Sequence, residues 1–162
     1  MSLDFDMDRE ATPPTDAATV LLVRDDAVRG LLVFCVQRSQ ASSFMGGAVV
    51  FPGGKVDPAD ADPAWDARAD FPPTLPDAFP RPLVVAACRE TLEEAAILHA
   101  TPPADDAAAR AGQAAAKDGF AALFAGGRRL DARAFVPFAR WITPVAEKRR
   151  FDARFFLAVA PE

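Results

Sequence analysis

The chain has 162 residues, 51% of them hydrophobic, which is enough for one domain that buries about two thirds of its unfolded surface and leaves no material for a second. A formal net charge of -5 argues against a binder of the nucleic-acid backbone, and means that a phosphorylated ligand must be met by local cations. No apolar run reaches the ~18 residues of a membrane span. The two cysteines, Cys35 and Cys88, lack a metal or redox spacing, so they read as buried thiols of a reducing, cytoplasmic setting with no nucleic-acid or membrane partner.

Residues 1–16 are acidic, unlike a secretory leader, and read as flexible. Residues 17–23 and 30–36 are rich in Val and Leu and flank the polar stretch 24–29, the pattern of a β-hairpin whose strands are both expected to be central. Residues 37–47 form a loop of small side chains, including Ser39, Ser42, Ser43, Gly46 and Gly47, suited to backbone contact with a ligand or to a plain connection. Within it, Arg38 can hold a phosphate bidentately or sit in a surface ion pair. The short strand Ala48-Val49-Val50 ends at Phe51-Pro52-Gly53-Gly54, where two glycines let backbone N–H groups come close to an anion. Residues 57–82 hold seven of the fifteen prolines, which rules out a long helix or a central strand there. This segment is expected to be an excursion pinned by Trp65, Phe71 and Phe79, with a lid over a substrate as the alternative.

From about residue 84 to residue 98 there is no Gly or Pro. At about 100° per residue, Val85, Cys88, Leu92, Ala95 and Ala96 fall on one side of a helix and Glu90, Glu93 and Glu94 on the other. Glu90 has Glu93 and Glu94 as i+3 and i+4 neighbours, so the cluster repels itself by about 0.2 to 0.5 kcal/mol per pair, and Arg89 supplies one positive charge. Oxygen ligands of this kind suit Mg²⁺ or Mn²⁺; the competing reading is an acidic, solvated helix face. His99 is expected near the C-terminus of this helix, where the dipole favours a cation. Residues 102–117 read as a helix with Asp105 and Asp106 near its start, and 120–124 as a short apolar turn stopped by Gly126-Gly127; together they should cover one sheet face. Residues 135–143 and 155–160 return to strand character. The basic connection Glu147-Lys148-Arg149-Arg150 between them is either a solvated loop or a contact to substrate phosphates.

A Gly-Gly turn followed by Arg89-Glu90-Thr91-Leu92-Glu93-Glu94 resembles the Nudix hydrolase signature, G-x5-E-x7-R-E-U-x-E-E-x-G-U with U aliphatic. The chain departs from it in three ways. Asp60 stands at the position of the first Glu, the gap to Arg89 is much longer, and Thr91 and Ala96 occupy the first aliphatic and the Gly positions. A long insertion at this place is similar to that of the peroxisomal type of coenzyme A diphosphatase. Members of that branch read much like Phe44-Met45-Gly46-Gly47 and Phe51-Pro52-Gly53-Gly54-Lys55-Val56-Asp57, and again like Trp141-Ile142-Thr143-Pro144 and Arg150-Phe151-Asp152-Ala153-Arg154-Phe155-Phe156. Arg38-Ser39, Gly47 and the Phe-Pro-Gly-Gly turn also match the motif of smaller coenzyme A diphosphatases, with Ser43 in place of its second Arg.

The resemblance implies an α/β protein, a Nudix-like αβα sandwich with a mixed central sheet, formed as a single domain over residues 1–162 with 57–82 inserted in the Nudix box. It implies metal-dependent hydrolysis of the pyrophosphate bond in a nucleoside diphosphate linked to another moiety, with coenzyme A or acyl-coenzyme A as the leading substrate. Glu90, Glu93 and Glu94 would hold Mg²⁺ or Mn²⁺. Glu93 and Glu94 would serve catalysis with Arg89 orienting the carboxylates, and Arg38, Gly53 and Gly54 would contact substrate or the metal cluster. Glu94 is the fallback general base, and Asp57 or Asp60 stands in for the first Glu. Members of this branch usually continue through another strand and a C-terminal helix, so part of the catalytic apparatus is expected beyond residue 162. The expected partner is a small-molecule nucleotide, and the protein a monomer or homodimer. The rivals are a catalytically impaired Nudix-like nucleotide-binding or regulatory domain, and an α/β protein with an accidental Glu cluster.

Overall fold

A Val- and Leu-rich apolar run within Thr15–Asp26 makes β1, the strand on which the sheet is built. Ala18, Val20 and Leu22 point to one face and are almost fully buried. The structure is a computed structural model that describes residues 12–40 and 46–160, with the backbone alone described at 116–118. Residues 1–11 and 41–45, and with them Ser42, Ser43, Phe44 and Met45, lie outside the described residues. The expected flexible leader does not reach residue 16, because Thr15 and Asp16 already pair with Phe151 and Asp152.

The hairpin forms as expected, with β2 (Gly30–Val33) antiparallel to the end of β1. Only β1 is central, however. β2 is an edge strand, with Leu31 68% exposed, and Val36 leaves it to join a separate ladder of β3 (Val36–Gln37) with β4 (Val49–Val50). The first half of the same β1 edge takes β5 (Gly53–Lys55), antiparallel over Ala17 to Thr19. The other edge pairs in parallel with β9 (Phe151–Val159), which is antiparallel in turn to β8 (Val136–Ile142). The central sheet is therefore mixed, in the order β2-β1-β9-β8 with β5 beside β1.

β9 begins four residues earlier than its apolar pattern indicated, because two of its inward positions are charged. Asp152 and Arg154 are both 7% exposed and pair with each other at 2.9 Å. Arg140 of β8 grips Asp152 through two hydrogen bonds of 2.8 and 2.7 Å, while Arg154 also reaches Asp16 and the Ala78 carbonyl. The hydrogen bonds from Arg140 hold the Asp152 carboxyl below its usual range. A pattern reader takes such residues for surface; their partners come from three other segments of the chain.

The Pro-rich excursion is fixed to the body as expected. A 3-10 turn, Pro58–Ala61, is followed by the short α1 (Trp65–Arg68). Trp65 packs on Phe120 and Phe124 at 5.2 and 5.4 Å between ring centroids, and Phe79 packs edge-on against Phe156 at 5.4 Å. Phe71 is only half-buried and lies beneath the Arg81 guanidinium. Aromatic anchors at both ends make this segment part of the core wall rather than a lid.

α2 runs over Arg81–Ala95, entered from Pro80 with Pro82 in its first turn, where a missing N–H costs nothing. It is not the two-faced helix its periodicity describes, since every residue from 83 to 92 is buried, Arg89 and Glu90 among them. α3 (Asp106–Ala114) is capped by the Asp105 carboxylate on the Ala108 N–H, and both it and α4 (Ala116–Ala122) pack chiefly on α2 as an outer layer rather than directly on the sheet. A last small ladder joins β6 (Ala100–Thr101) to β7 (Arg129–Leu130). No helix among the described residues is long and apolar enough to cross a membrane.

α2 stops because Ala96 turns into the left-handed region, φ 54°, donating its N–H to Leu92 O. The family signature has Gly at this place, and the backbone explains why: a Cβ in that conformation is strained by about 1–2 kcal/mol. Ala96→Gly is expected to raise unfolding free energy by about 0.5–1 kcal/mol after the entropy lost by Gly is subtracted. Urea unfolding would read it, and an unshifted midpoint would show that the turn carries no strain.

His99 lies beyond the end of α2 and does not cap it. Its Nε2–H donates to Val159 O at 2.8 Å, and its ring packs edge-on against Phe135 at 4.9 Å. Burial pushes its pKa below the usual 6.5, against a smaller opposing pull from the Val159 carbonyl, so the ring is neutral rather than a cation for the helix dipole. The unfolded chain therefore takes up the proton first, and this group's contribution to stability falls as pH drops from 6.5 toward the lower folded value. It is the one histidine of the sequence, so its ring resonances are unambiguous by NMR and should titrate below pH 6.5. A midpoint at or above that value would mean the ring is solvated.

Candidate active site

Arg89 is the hub of the site. Its side chain is 3% exposed, and its Nε and Nη2 donate to the two oxygens of Asp60, itself 2% exposed, each at 2.9 Å. Nη2 also reaches Lys55 O at 3.0 Å, and Nη1 donates to Glu90 Oε1 at 2.8 Å and to Glu93 Oε2 at 3.2 Å. Burial works against its charge, but the hydrogen bonds and charge of Asp60, then those of Glu90, outweigh it and raise its pKa. Asp60 is thus the residue that stands at the position of the first signature Glu and meets Arg89. Asp57 instead caps the 3-10 turn, its carboxylate accepting from Ala59 N while Asp60 Oδ2 accepts from Asp57 N.

The three carboxylates of α2 lie near one another and run from the buried Glu90 through the half-buried Glu93 to the exposed Glu94. Glu90 is 9% exposed, and burial raises its pKa; Arg89 pulls it down while the charges of Glu93 and Glu94 push it up. Glu94, at the open edge, is raised first by desolvation, lowered by the Gly53 N–H and the Arg38 charge, and raised by Glu93. Glu93 Oε1 is buried with no hydrogen-bond partner, an orphaned acceptor beside two further carboxylates, and this hard, anionic oxygen set fits a divalent cation. Among the described residues no three acidic, His or Cys groups stand in ligating geometry as they are: Arg89 occupies an oxygen of Glu90 and one of Glu93, and Gly53 N one of Glu94.

The Gly-Gly turn is built against this cluster. Gly53 N donates to Glu94 Oε2 at 2.9 Å, so that N–H serves the carboxylates. Gly54 lies so close to Glu90 that an added Cβ would sit 2.4 Å from Oε1, which is the reason for a glycine there. Arg38 lines a groove of about 400 Å³ with Thr19, Val50, Phe51, Gly53 and Phe155, and its charge reaches Glu94. Its backbone is fixed by hydrogen bonds with Ala48 and Gly47, the latter at φ 77°. Sequence reasoning missed two supports of the site: Lys55 O under Arg89, and Gln113, whose Nε2 donates to Glu93 O at 3.0 Å. Neither carries a local signal, since each depends on where a distant backbone passes.

No family model matches the chain. The crystal structure of a Nudix hydrolase from Alicyclobacillus acidocaldarius is similar to it with a TM-score of 0.77 at 31% identity, over 92% of this chain and 71% of that one. This chain belongs to the Nudix hydrolases. The Nudix fold supports pyrophosphate hydrolysis in general, and Nudix hydrolases generally use divalent metals. In this Nudix hydrolase Asp60 and Arg89, 29 positions apart in sequence, are brought into bidentate contact by the fold.

Proposed function

We propose that this Nudix hydrolase cleaves the pyrophosphate bond of a nucleoside diphosphate linked to another moiety in a Mg²⁺- or Mn²⁺-dependent reaction, with coenzyme A or acyl-coenzyme A as the leading substrate. The observation that carries it is the adjacency of two opposite sites: the Glu90, Glu93 and Glu94 oxygens, and the Arg38 groove whose charge reaches Glu94 across Gly53. Glu90, Glu93 and Glu94 would hold the cation. A bound divalent ion supplies neutralising charge for the pyrophosphate and an acidified water. Arg89 fixes the orientation of Glu90 and Glu93, and Arg38 holds a phosphate oxygen pair. Glu94, with Oε2 accepting from Gly53 N, would take the proton of the attacking water.

Arg38-Ser39, Gly47 and Phe51-Pro52-Gly53-Gly54 support coenzyme A as the substrate. Mass spectrometry of products from coenzyme A, acyl-coenzyme A, ADP-ribose and dinucleoside polyphosphates with Mg²⁺ or Mn²⁺ tests this. Coenzyme A should yield 4'-phosphopantetheine and adenosine 3',5'-bisphosphate. Turnover of ADP-ribose with none of coenzyme A would assign the protein to another substrate class, and nucleotide binding without any turnover would make it the impaired binding domain.

A further inference from the structure

A second cationic cavity lies apart from the carboxylates. It measures about 440 Å³, and its wall is formed by Lys55, Lys148, Arg149 and Arg150 over Thr15 and Phe151. In a chain of net charge -5, Lys55, Arg149 and Arg150 bring basic side chains to one pocket, and among the described residues that line it none is acidic. Arg150 is held by Thr143 O at 3.1 Å and Thr12 O at 2.6 Å, neutral acceptors that fix the guanidinium.

The register shows how this pocket relates to the Arg38 groove. Thr15 pairs with Phe151, Ala17 with Ala153 and Lys55, and Thr19 with Phe155 and Gly53. Residues two apart on a strand share a face, so both cavities open on one side of the sheet, the side turned away from Ala18, Val20 and Phe156. Their centres are about four residues apart along β1, or about 13 Å, while Lys55 lies only about 6.6 Å beyond Gly53 along β5. That shorter span is one that a ribose carrying two phosphate groups can bridge. Between the cavities, Trp141 pairs with Ala153 on the same face and is 66% exposed, an aromatic surface beside the path.

We propose that this pocket is a second phosphate subsite, which takes a phosphomonoester carried by the nucleotide half of the substrate while the pyrophosphate lies at Arg38 and Gly53. This deepens the pyrophosphohydrolase reading and rests on it for the substrate, though not for the binding of the phosphate itself.

The test removes charge without touching the carboxylate cluster or its supports, in the double variant Lys148→Gln/Arg149→Gln. Calorimetry without metal compares adenosine 3',5'-bisphosphate, adenosine 5'-monophosphate and inorganic phosphate. The parent should bind the bisphosphate about tenfold more tightly than the monophosphate, and the variant should lose that preference. In turnover, the variant should raise KM for coenzyme A about tenfold with kcat unchanged, and leave 3'-dephospho-coenzyme A unaffected. Equal weakening of both nucleotides would reduce the pocket to general attraction of anions and overturn the subsite. So would a parent that binds inorganic phosphate but does not prefer the bisphosphate. A bisphosphate preference that is lost in the variant, together with no hydrolysis of coenzyme A by the parent, would support the subsite and sink the substrate assignment alone.

Discussion

Arg89→Met is expected to lower the unfolding free energy by about 3–5 kcal/mol, because it leaves the Asp60 carboxylate charged, buried and without its partner. Asp60 and Arg89 are 2% and 3% exposed, so water screens neither, and Glu90 and Glu93 lose the same donor. Urea unfolding gives the number. Adding Asp60→Asn to the variant should recover part of the loss, since the stranded charge is then gone. A single-variant loss under about 1 kcal/mol would mean that solvent reaches the pair. Activity should fall too, because two carboxylates lose the group that orients them.

Glu93→Gln should show the opposite combination, a large kinetic loss with no loss of stability. If the carboxylates hold a divalent cation, kcat should drop about 10²-fold or more and the apparent metal affinity should weaken with it. Gln can place its one amide oxygen where Glu93 Oε2 accepts from Arg89 Nη1, while removing one of three mutually repelling charges, so the melting temperature without metal should hold or rise. Thermal shift with and without Mn²⁺ and Mg²⁺-dependent turnover read both halves. A triple Gln variant of Glu90, Glu93 and Glu94 that binds Mg²⁺ as tightly as the parent would sink the metal assignment.

The strands and the acidic helix were legible because each rests on a local pattern. β1, β2, β8 and α2 lie close to where apolar runs or helical spacing place them. What the period could not carry was burial all round. Helix α2 is read from the sequence as two-faced because Arg89 and Glu90 are polar, yet both are buried, since Asp60 and Lys55 O arrive from another segment to satisfy them. The start of β9 was hidden for the same reason, its charged inward residues being paired by Arg140 and Asp16. His99 was misplaced because the helix ends at Ala96, a stop set by one residue with positive φ and no Gly to announce it. Glu90, Glu93, Glu94 and Gly53 lie near one another in the fold, because their placement depends on a turn and a helix that short motifs specify.

The pairing of β1 with β9 bears on how the molecule is made. Nine register pairs join Thr15 through Val23 to Phe151 through Val159. During synthesis, β2 and then β5 can cover one edge of β1 soon after it leaves the ribosome, but the other edge waits for a strand more than a hundred residues later. Until then the nascent chain carries an apolar strand with an unpaired row of N–H and C=O groups, a template for pairing with a neighbouring chain. Closure of so long a loop also sets a slow folding rate, since its entropy is lost before the ladder forms. Yield of soluble protein is therefore expected to depend on chaperone supply and expression temperature more than the stability of the finished fold would indicate.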